Sequence, residues 1–392
     1  MAFQPLSGVR VVDLTSSLAG PTCTEVLGAL GADIVKIEHP GRGDEARAWG
    51  PRFFEGGSVL FFAANASKRA LALDVKVEAG RAALLRLVDR ADVFVQSMRP
   101  GTAERLGYGA EELQARNERL IYCSVGAFGR KGPLAHEPGY DPLMQAFAGI
   151  VSVTGEPDRP GVRVGASLVD IGTGVWAALG IVAALHERTG GGRGRVVDVA
   201  LFETALGFLN YQLTDALTTG RTTGRFGTAF PLIVPYEVFP TADGELMISA
   251  ANDGLFTRLC EVVGLPELVD DPRFRTNPDR VANRAELLPP LRAKLGEKPS
   301  AHWLETLEGI PVAPVQDLAQ VARHEQTRAV GIVQQLGGVE TVAPPLQVDG
   351  ERVEHRSPPP LLGQHSAEVL GELGYSTSEI AALAESGVTR LA

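Results

Sequence analysis

Up to about residue 200 the chain alternates short apolar runs with longer amphipathic ones, and this alternation restricts its fold more than any other feature. Residues 9–14 and 33–38 have the length and apolar content of strands. Between them, residues 21–30 form a helix pattern with Pro21 near its start and Gly31 just past its end. Residues 78–91 repeat the helix pattern, with Ala82, Ala83, Leu84, Leu85, Leu87 and Val88 on the apolar positions. Residues 93–95, 120–122 and 196–199 are further strands, and 140–150 and 170–187 further helices. Strands separated by helices of this length pair in parallel through right-handed crossovers, so the expected class is α/β.

The pattern changes after Thr219. Residues 220–228 are rich in Gly, Thr and Arg and read as a linker. Residues 234–239 and 246–250 flank Thr241-Ala242-Asp243-Gly244, a hairpin signature with Asp-Gly at the turn. Helical segments continue to about residue 307, and 229–321 is expected to be a smaller α+β domain. A chain of 392 residues fits two domains.

Composition narrows the function. With 37 Lys and Arg against 47 Asp and Glu, the net charge is −10, which disfavours a nucleic-acid surface but permits a local basic pocket. Cys23, Cys123 and Cys260 are far apart with no C-x-x-C pair, and no H-x-x-x-H occurs, so neither a disulfide framework nor a metal site is expected. The N-terminal residues lack the basic-then-apolar pattern of a signal peptide. The longest uncharged apolar stretch, 171–185, falls short of a bilayer span of roughly 20 residues and reads as a buried core helix. The expectation is a cytoplasmic protein with no membrane partner. No G-x-G-x-x-G follows the first strand, and the glycines of 190–194 precede a strand rather than a helix, so neither a dinucleotide site nor a phosphate loop is expected.

One carboxylate stands out. Asp170 lies between an apolar run and two glycines, Gly172 and Gly174, at the start of a long apolar helix. An Asp there most commonly caps the helix. The alternative is a nucleophilic carboxylate, with the glycines letting a bulky substrate approach the backbone.

A series of motifs runs along the chain: Ala19-Gly20-Pro21, the stretch Gly31 to Glu38, Gly43-Asp44, Ala66-Ser67-Lys68-Arg69, Arg99-Pro100-Gly101, Gly139-Tyr140-Asp141, Asp170 with Gly174, Thr189-Gly190 with Gly194, and Leu362-Gly363-Gln364-His365. In this order they resemble the class III CoA-transferases, the group that includes formyl-CoA and carnitine CoA-transferases and the α-methylacyl-CoA racemases. The resemblance implies a large CoA-binding domain, residues 1–219 and 322–392, with a Rossmann-like parallel sheet completed by the C-terminal tail, and an interlinked homodimer. It implies acyl-CoA as a substrate and no permanently bound cofactor.

The resemblance also assigns residues. Asp170 matches the nucleophile that forms a mixed anhydride and then an aspartyl-CoA thioester. Such a carboxylate is ionised at neutral pH when its pKa is ordinary, and backbone N–H groups at the start of its helix are candidate oxyanion donors. Leu18, Ala19, Leu73, Lys76, Ser97, Met98, Arg99 and Arg105 match CoA contacts. His39 occupies the position of a phosphate-binding Arg in the formyl-CoA enzymes, which weakens that contact or moves it elsewhere. Trp49, Tyr140 and Asp141 are implied to line the acid site. Tyr140 replaces the His that racemases need as a base, which favours transfer over racemisation.

Within the family the likeness is greatest to succinyl-CoA:glutarate-type enzymes, on the stretches 225–229, 233–236 and 358–365. Arg163 and Arg225 are candidates to hold the far carboxylate of a dicarboxylate. The stretch 227–232 lacks the glycine run of the formyl-CoA enzymes, which implies a different lid and substrate. Two other readings stay open, an acyl-CoA isomerase and a CoA-binding protein without catalysis.

Overall fold

The apolar runs pair as the alternation requires. The structure, a computed structural model, describes residues 3–392. Six strands, β1 (Arg10–Leu14), β2 (Asp33–Glu38), β3 (Lys68–Leu73), β4 (Val93–Gln96), β5 (Ile121–Gly126) and β6 (Val196–Ala200), form a parallel sheet in the order β3-β2-β1-β4-β5-β6. The C-terminal strand Thr389–Arg390 adds to β3 in antiparallel sense. Strand β3 escapes a reading by apolar pattern, because Lys68 and Arg69 open it and its Ala and Leu residues carry little β preference.

The helices that bear on the site are α1 (Ala19–Ala29), α2 (Glu78–Val88), α3 (Asp141–Phe147), α4 (Leu168–Thr189) and α5 (Leu201–Phe208). The helix expected over 140–150 stops at Phe147, and Gly149 has φ 100°, which a helix cannot continue through. Val12, Val35, Leu71 and Phe94 from the strands pack with Leu84 and Val88 of α2 and Leu370 and Leu373 of the tail. Burial of such side chains is worth about 1.5–3 kcal/mol each.

Helix α4 has 22 residues, longer than the uncharged stretch read from sequence and long enough to span a bilayer by length and composition. Its Val169, Thr173, Ala177, Ile181 and Leu185 are nevertheless buried against the protein, as in a core helix. The glycines near Asp170 serve helix packing rather than substrate approach. A Cβ on Gly174 would lie 2.6 Å from the carbonyl oxygen of Ala19 in α1, and one on Gly172 would lie 2.3 Å from the Phe208 ring in α5. The close crossing at Gly174 brings the start of α1 beside the start of α4.

By internal contacts the chain divides into two compact units. The larger runs up to Ala148 and takes in Val164–Asn210 and Gln326–Ala392; the smaller comprises Gly149–Arg163 and Tyr211–Glu325. The smaller unit thus gathers residues ahead of the composition change at 220. Its strands Tyr236–Pro240 and Glu245–Ser249 form the expected antiparallel hairpin, joined by a bond from Thr241 N to Gly244 O of 2.8 Å. Val312–Pro314 adds a third strand. Phe239, Ile248, Phe256, Leu259, Leu291 and Trp303 fill its core.

Within the larger unit, a buried ionic network joins the carboxyl ends of β1 and β2 to Lys68 at the start of β3. Asp13, at the end of β1, accepts from Thr15 N and Thr15 Oγ1 through one oxygen and from Thr24 Oγ1 and Lys68 Nζ through the other. Lys68 Nζ also donates to the carbonyls of Pro21 and Ala64 and to Asn65 Oδ1. Lys36 Nζ bonds Asp44 at 2.8 Å and the Thr15 carbonyl at 3.0 Å. Glu38 holds Arg47 through both carboxylate oxygens and accepts from Asp44 N. Burial pushes the Asp13 carboxyl up, but Lys68, Lys36 and the hydroxyls of Thr15 and Thr24 outweigh it and hold the group below its usual range.

The tail is anchored to the same frame. Arg47 donates to the Pro360 carbonyl at 3.0 Å, and Ala70 N and Ala72 N donate to His365 Nδ1 and Ser366 Oγ. These bonds give the Leu362-Gly363-Gln364-His365 motif a structural role, docking the tail on β3.

Removing one partner of a fully buried pair leaves a charge uncompensated. Lys68→Met is expected to lower the unfolding free energy by about 3–5 kcal/mol, measured by urea denaturation, and Asp13→Asn added to it should restore part of the loss. A loss below about 1 kcal/mol, the range of an exposed pair, would contradict the weight given to this network.

Candidate active site

The strand order reverses at β1. The chain builds outward from β1 through β2 to β3, then crosses to β4 on the other side of β1. Open parallel sheets bind ligands in the crevice beyond the carboxyl ends of the strands at such a reversal. Here Ser16, after β1, donates its N–H to Ser97 Oγ, after β4, at 3.1 Å. Two cavities open at this edge. One, of about 640 Å³, is lined by Ser16, Ser17, Ala19, Gly20, the 42–49 loop, Ser97, Met98, Arg99, Tyr140 and Asp170 among others. The other, of about 210 Å³, is lined by residues that include His39, Arg42, Leu73, Lys76, Ser97 and Met98.

Asp170 is the third residue of α4, and Ser167 occupies the cap position without a side-chain bond to the helix. Asp170 is therefore not the cap. That role falls to Asp141, the first residue of α3, whose Oδ2 accepts from Val169 N at 2.8 Å and Asp170 N at 3.2 Å. Its other oxygen accepts from Gln145 Nε2 at 2.6 Å, and Gln145 Oε1 accepts from Val164 N. Asp141 is 1% exposed. The backbone N–H groups of Val169 and Asp170 are thereby engaged, which corrects the expectation that they serve as oxyanion donors.

No described residue donates a hydrogen bond to the Asp170 carboxylate. Burial, with the Asp141 charge adding to it, raises its pKa from 3.8 to about 7. The carboxyl is therefore not fully ionised at neutral pH, contrary to the ordinary carboxylate value assumed from sequence. A carboxylate stripped of hydrogen-bond donors is a better nucleophile than a solvated one, because little stabilisation is lost on attack.

Around Asp170, Tyr140 donates to Glu45 Oε1 at 3.4 Å and meets Trp49 edge-on, with ring centroids 6.3 Å apart. Burial, followed by the Glu45 charge, moves the Tyr140 phenol above its usual value, further from use as a base. Ser17 also donates to Glu45, and its φ of 69° turns its N–H toward Asp44 Oδ1 at 3.1 Å.

The structure thus brings Ala19, Trp49, Ser97, Met98, Arg99, Tyr140 and Asp170 to the larger cavity and His39, Leu73 and Lys76 to the smaller. Leu18, Asp141 and Arg105 lie outside both linings. Leu18 is buried at the start of α1, and Arg105 bonds Thr102 Oγ1 at 3.0 Å. Arg163 and Arg225 belong to the smaller unit, where Arg225 donates to the carbonyls of Glu156 and Pro157. Ser17, Arg42 and Glu45 line the larger cavity without having been singled out from sequence. Their signal was adjacency to the Gly43-Asp44 motif and to the end of the first strand.

The chain belongs to CoA-transferase family III, whose family model matches residues 6–366. It is 42% identical over 358 residues to acetyl-CoA:oxalate CoA-transferase of Acetobacter aceti, covering 90% of this chain and 92% of that protein. It is 37% identical over 395 residues to succinyl-CoA:glutarate CoA-transferase of Mus musculus, covering 99% and 91%. The crystal structure of a CaiB/BaiF family protein from Brucella suis superposes with a TM-score of 0.85 at 37% identity, covering 94% of this chain and 99% of that one. The protein is an enzyme of the class III CoA-transferases.

The Asp170 carboxyl is expected to titrate near 7 in ¹³C NMR of aspartate-labelled protein, with the resonance absent from Asp170→Asn. Asp141→Asn removes the neighbouring charge and should move the midpoint down. Because the folded carboxyl keeps its proton above 3.8, the folded state binds more protons than the unfolded one between about 4 and 7. This group therefore lowers stability as pH rises through that window, and Asp170→Asn should remove its share of the slope. An Asp170 midpoint near 4, or one unmoved by Asp141→Asn, would contradict the assignment.

Proposed function

We propose that the protein transfers CoA from an acyl-CoA, with succinyl-CoA as donor, to a small carboxylic or dicarboxylic acid through covalent intermediates on Asp170. The observation that carries this reading is the donor-free, partly buried Asp170 carboxylate facing the larger cavity. The oxalate and glutarate named for the two relatives are both dicarboxylates, which supports a dicarboxylate among the acids.

An Asp170 oxygen attacks the thioester carbonyl carbon, the C–S bond breaks, and CoA leaves as thiolate with a mixed anhydride formed. The thiolate attacks Asp170 Cγ, releasing the donor acid and leaving an aspartyl-CoA thioester. The acceptor carboxylate attacks Cγ and frees the thiolate again. The thiolate then takes the acceptor acyl group and restores the Asp170 carboxylate. Each step exchanges one acyl bond for another, so the protein supplies positioning and exclusion of water rather than a proton relay. Moving an α-proton off one face of a carbon and onto the other takes two groups poised near the working pH; Asp170, at about 7, is one such group, but the Tyr140 phenol, raised above its usual value, does not serve as the second.

The assembly proposed is a homodimer interlinked as the family resemblance implies. Its support within the chain is an apolar face of α4, where Ile171, Val175, Trp176 and Leu179 are all exposed. A face of this kind suits burial by a second copy. The setting proposed is cytoplasmic, consistent with three free, buried cysteines.

Mass spectrometry of protein incubated with succinyl-CoA and oxalate or glutarate should detect the new acyl-CoA, and 2-methylacyl-CoA in deuterated water should not gain deuterium at the α-carbon. Asp170→Ala is expected to keep the fold and lose exchange by at least a thousandfold. Activity within about tenfold of wild type, about 1.4 kcal/mol of barrier, would exclude the nucleophile role. Rapid deuterium uptake without acyl exchange would favour the isomerase. Sedimentation should give a dimer, weakened by Trp176→Glu.

A further inference from the structure

In the 42–49 loop after β2, the buried network engages Arg47 and leaves Arg42 unengaged. Arg42 lines both cavities, and among the described residues it is the only Lys, Arg or His to do so. Its side chain is exposed and makes no hydrogen bond or ion pair with a described residue. Arg47, five residues on, is held by Glu38 and the Pro360 carbonyl, and Lys36 by Asp44.

The backbone that presents Arg42 is fixed on both sides. Gly43 N donates to the His39 carbonyl at 2.8 Å, and Asp44 N donates to Glu38 Oε2 at 2.9 Å. Gly41 N donates to His39 Nδ1 at 3.1 Å. That last bond turns the His39 Nδ1 back onto its own turn, so this ring nitrogen is not presented to a ligand. The charge available to an anionic ligand at this turn is therefore the Arg42 guanidinium.

We propose that Arg42 binds the diphosphate of coenzyme A where the two cavities meet, an inference that rests on the transferase reading above. The thioester must reach Asp170 in the larger cavity. The smaller cavity, walled by Leu73 and Lys76, is then left for the adenosine end. The diphosphate joins the pantetheine arm to the adenosine, so it falls at the junction. A guanidinium presents paired N–H donors that match phosphate oxygens two at a time, and a loose side chain on a rigid turn can close on them.

The test compares wild type with Arg42→Met, Arg42→Lys and His39→Gln on succinyl-CoA, on succinyl-dephospho-CoA, which lacks only the 3′-phosphate, and on succinyl-pantetheine, which has no phosphate. Arg42→Met is expected to raise KM for succinyl-CoA by about ten- to a hundredfold, the effect of losing a charge-assisted contact. The same factor should appear with the dephospho substrate and shrink to within about twofold with the pantetheine thioester. Arg42→Lys should recover part of the loss, and His39→Gln should change KM less than about threefold. A defect that vanishes with the dephospho substrate would move Arg42 to the 3′-phosphate and overturn the assignment. So would a defect that persists undiminished with succinyl-pantetheine. Calorimetry with CoA separates the two levels of inference. Wild-type protein that binds no CoA would sink the transferase reading and this contact with it. Wild type and Arg42→Met binding CoA equally well would sink this contact alone.

Discussion

Asp13, Lys68, Lys36, Asp44 and Glu38 are all nearly inaccessible to solvent, and the rest of the site depends on how they satisfy one another. Four sit on strands of the sheet and Asp44 in the loop after β2, and their bonds reach the turn after β1, the first turns of α1, the loop before β3 and the 42–49 loop. Through Thr15 and Thr24 the network sets the β1–α1 turn; through Asp44 and Arg47 it sets the 42–49 loop. A charge in a low-dielectric interior that loses its partner is costly, so the arrangement resists partial opening. The consequence is a rigid rim around a crevice whose remaining polar groups are free to meet a ligand.

A second acidic pair does the opposite of stabilising. Asp141 is fully used: three donors meet its two oxygens, and two of those donors are the first-turn amides of the helix that carries Asp170. Its charge in turn adds to the burial that raises Asp170 to about 7. One carboxylate is thus fixed as a structural cap and the other kept short of donors beside a cavity. The two roles follow from environment rather than from residue type. Exchange of acyl groups between oxygen and sulfur needs a poorly solvated carboxylate, and such a group lowers stability at the pH where it is ionised. Active sites commonly carry this conflict between stability and reactivity.

Several motifs that the sequence groups together turn out to do different work. Lys36, Glu38, Lys68 and Asp44 lie in three separate motifs but belong to one buried network. Gly172 and Gly174 read as room for a substrate, yet they are room for Phe208 and for the backbone of α1. Asp170 read as either a cap or a nucleophile, and the cap is Asp141, 29 residues away along the chain. Arg163 and Arg225 read as candidates for the far carboxylate of a dicarboxylate, and both fall in the smaller unit. In each case the local pattern marks a residue as constrained without saying by what, because the partner is distant in sequence.

The sequence by itself determined the strand and helix alternation, hence a parallel sheet, the hairpin of the smaller unit, and the acidic residue at the head of α4. These follow from apolar periodicity and turn chemistry, which act over a few residues. Only the tertiary structure decided the strand order, with its reversal at β1, the inclusion of β3 in the sheet, and the pairing of Asp141 with the helix of Asp170. It also left Arg42 unpaired among the described residues, on the lining of both cavities, while engaging Arg47 of the same 42–49 loop. These outcomes depend on burial and on contacts between remote segments. Desolvation of a carboxylate and the choice of partner for a cation are properties of the space around a side chain, not of its neighbours along the chain.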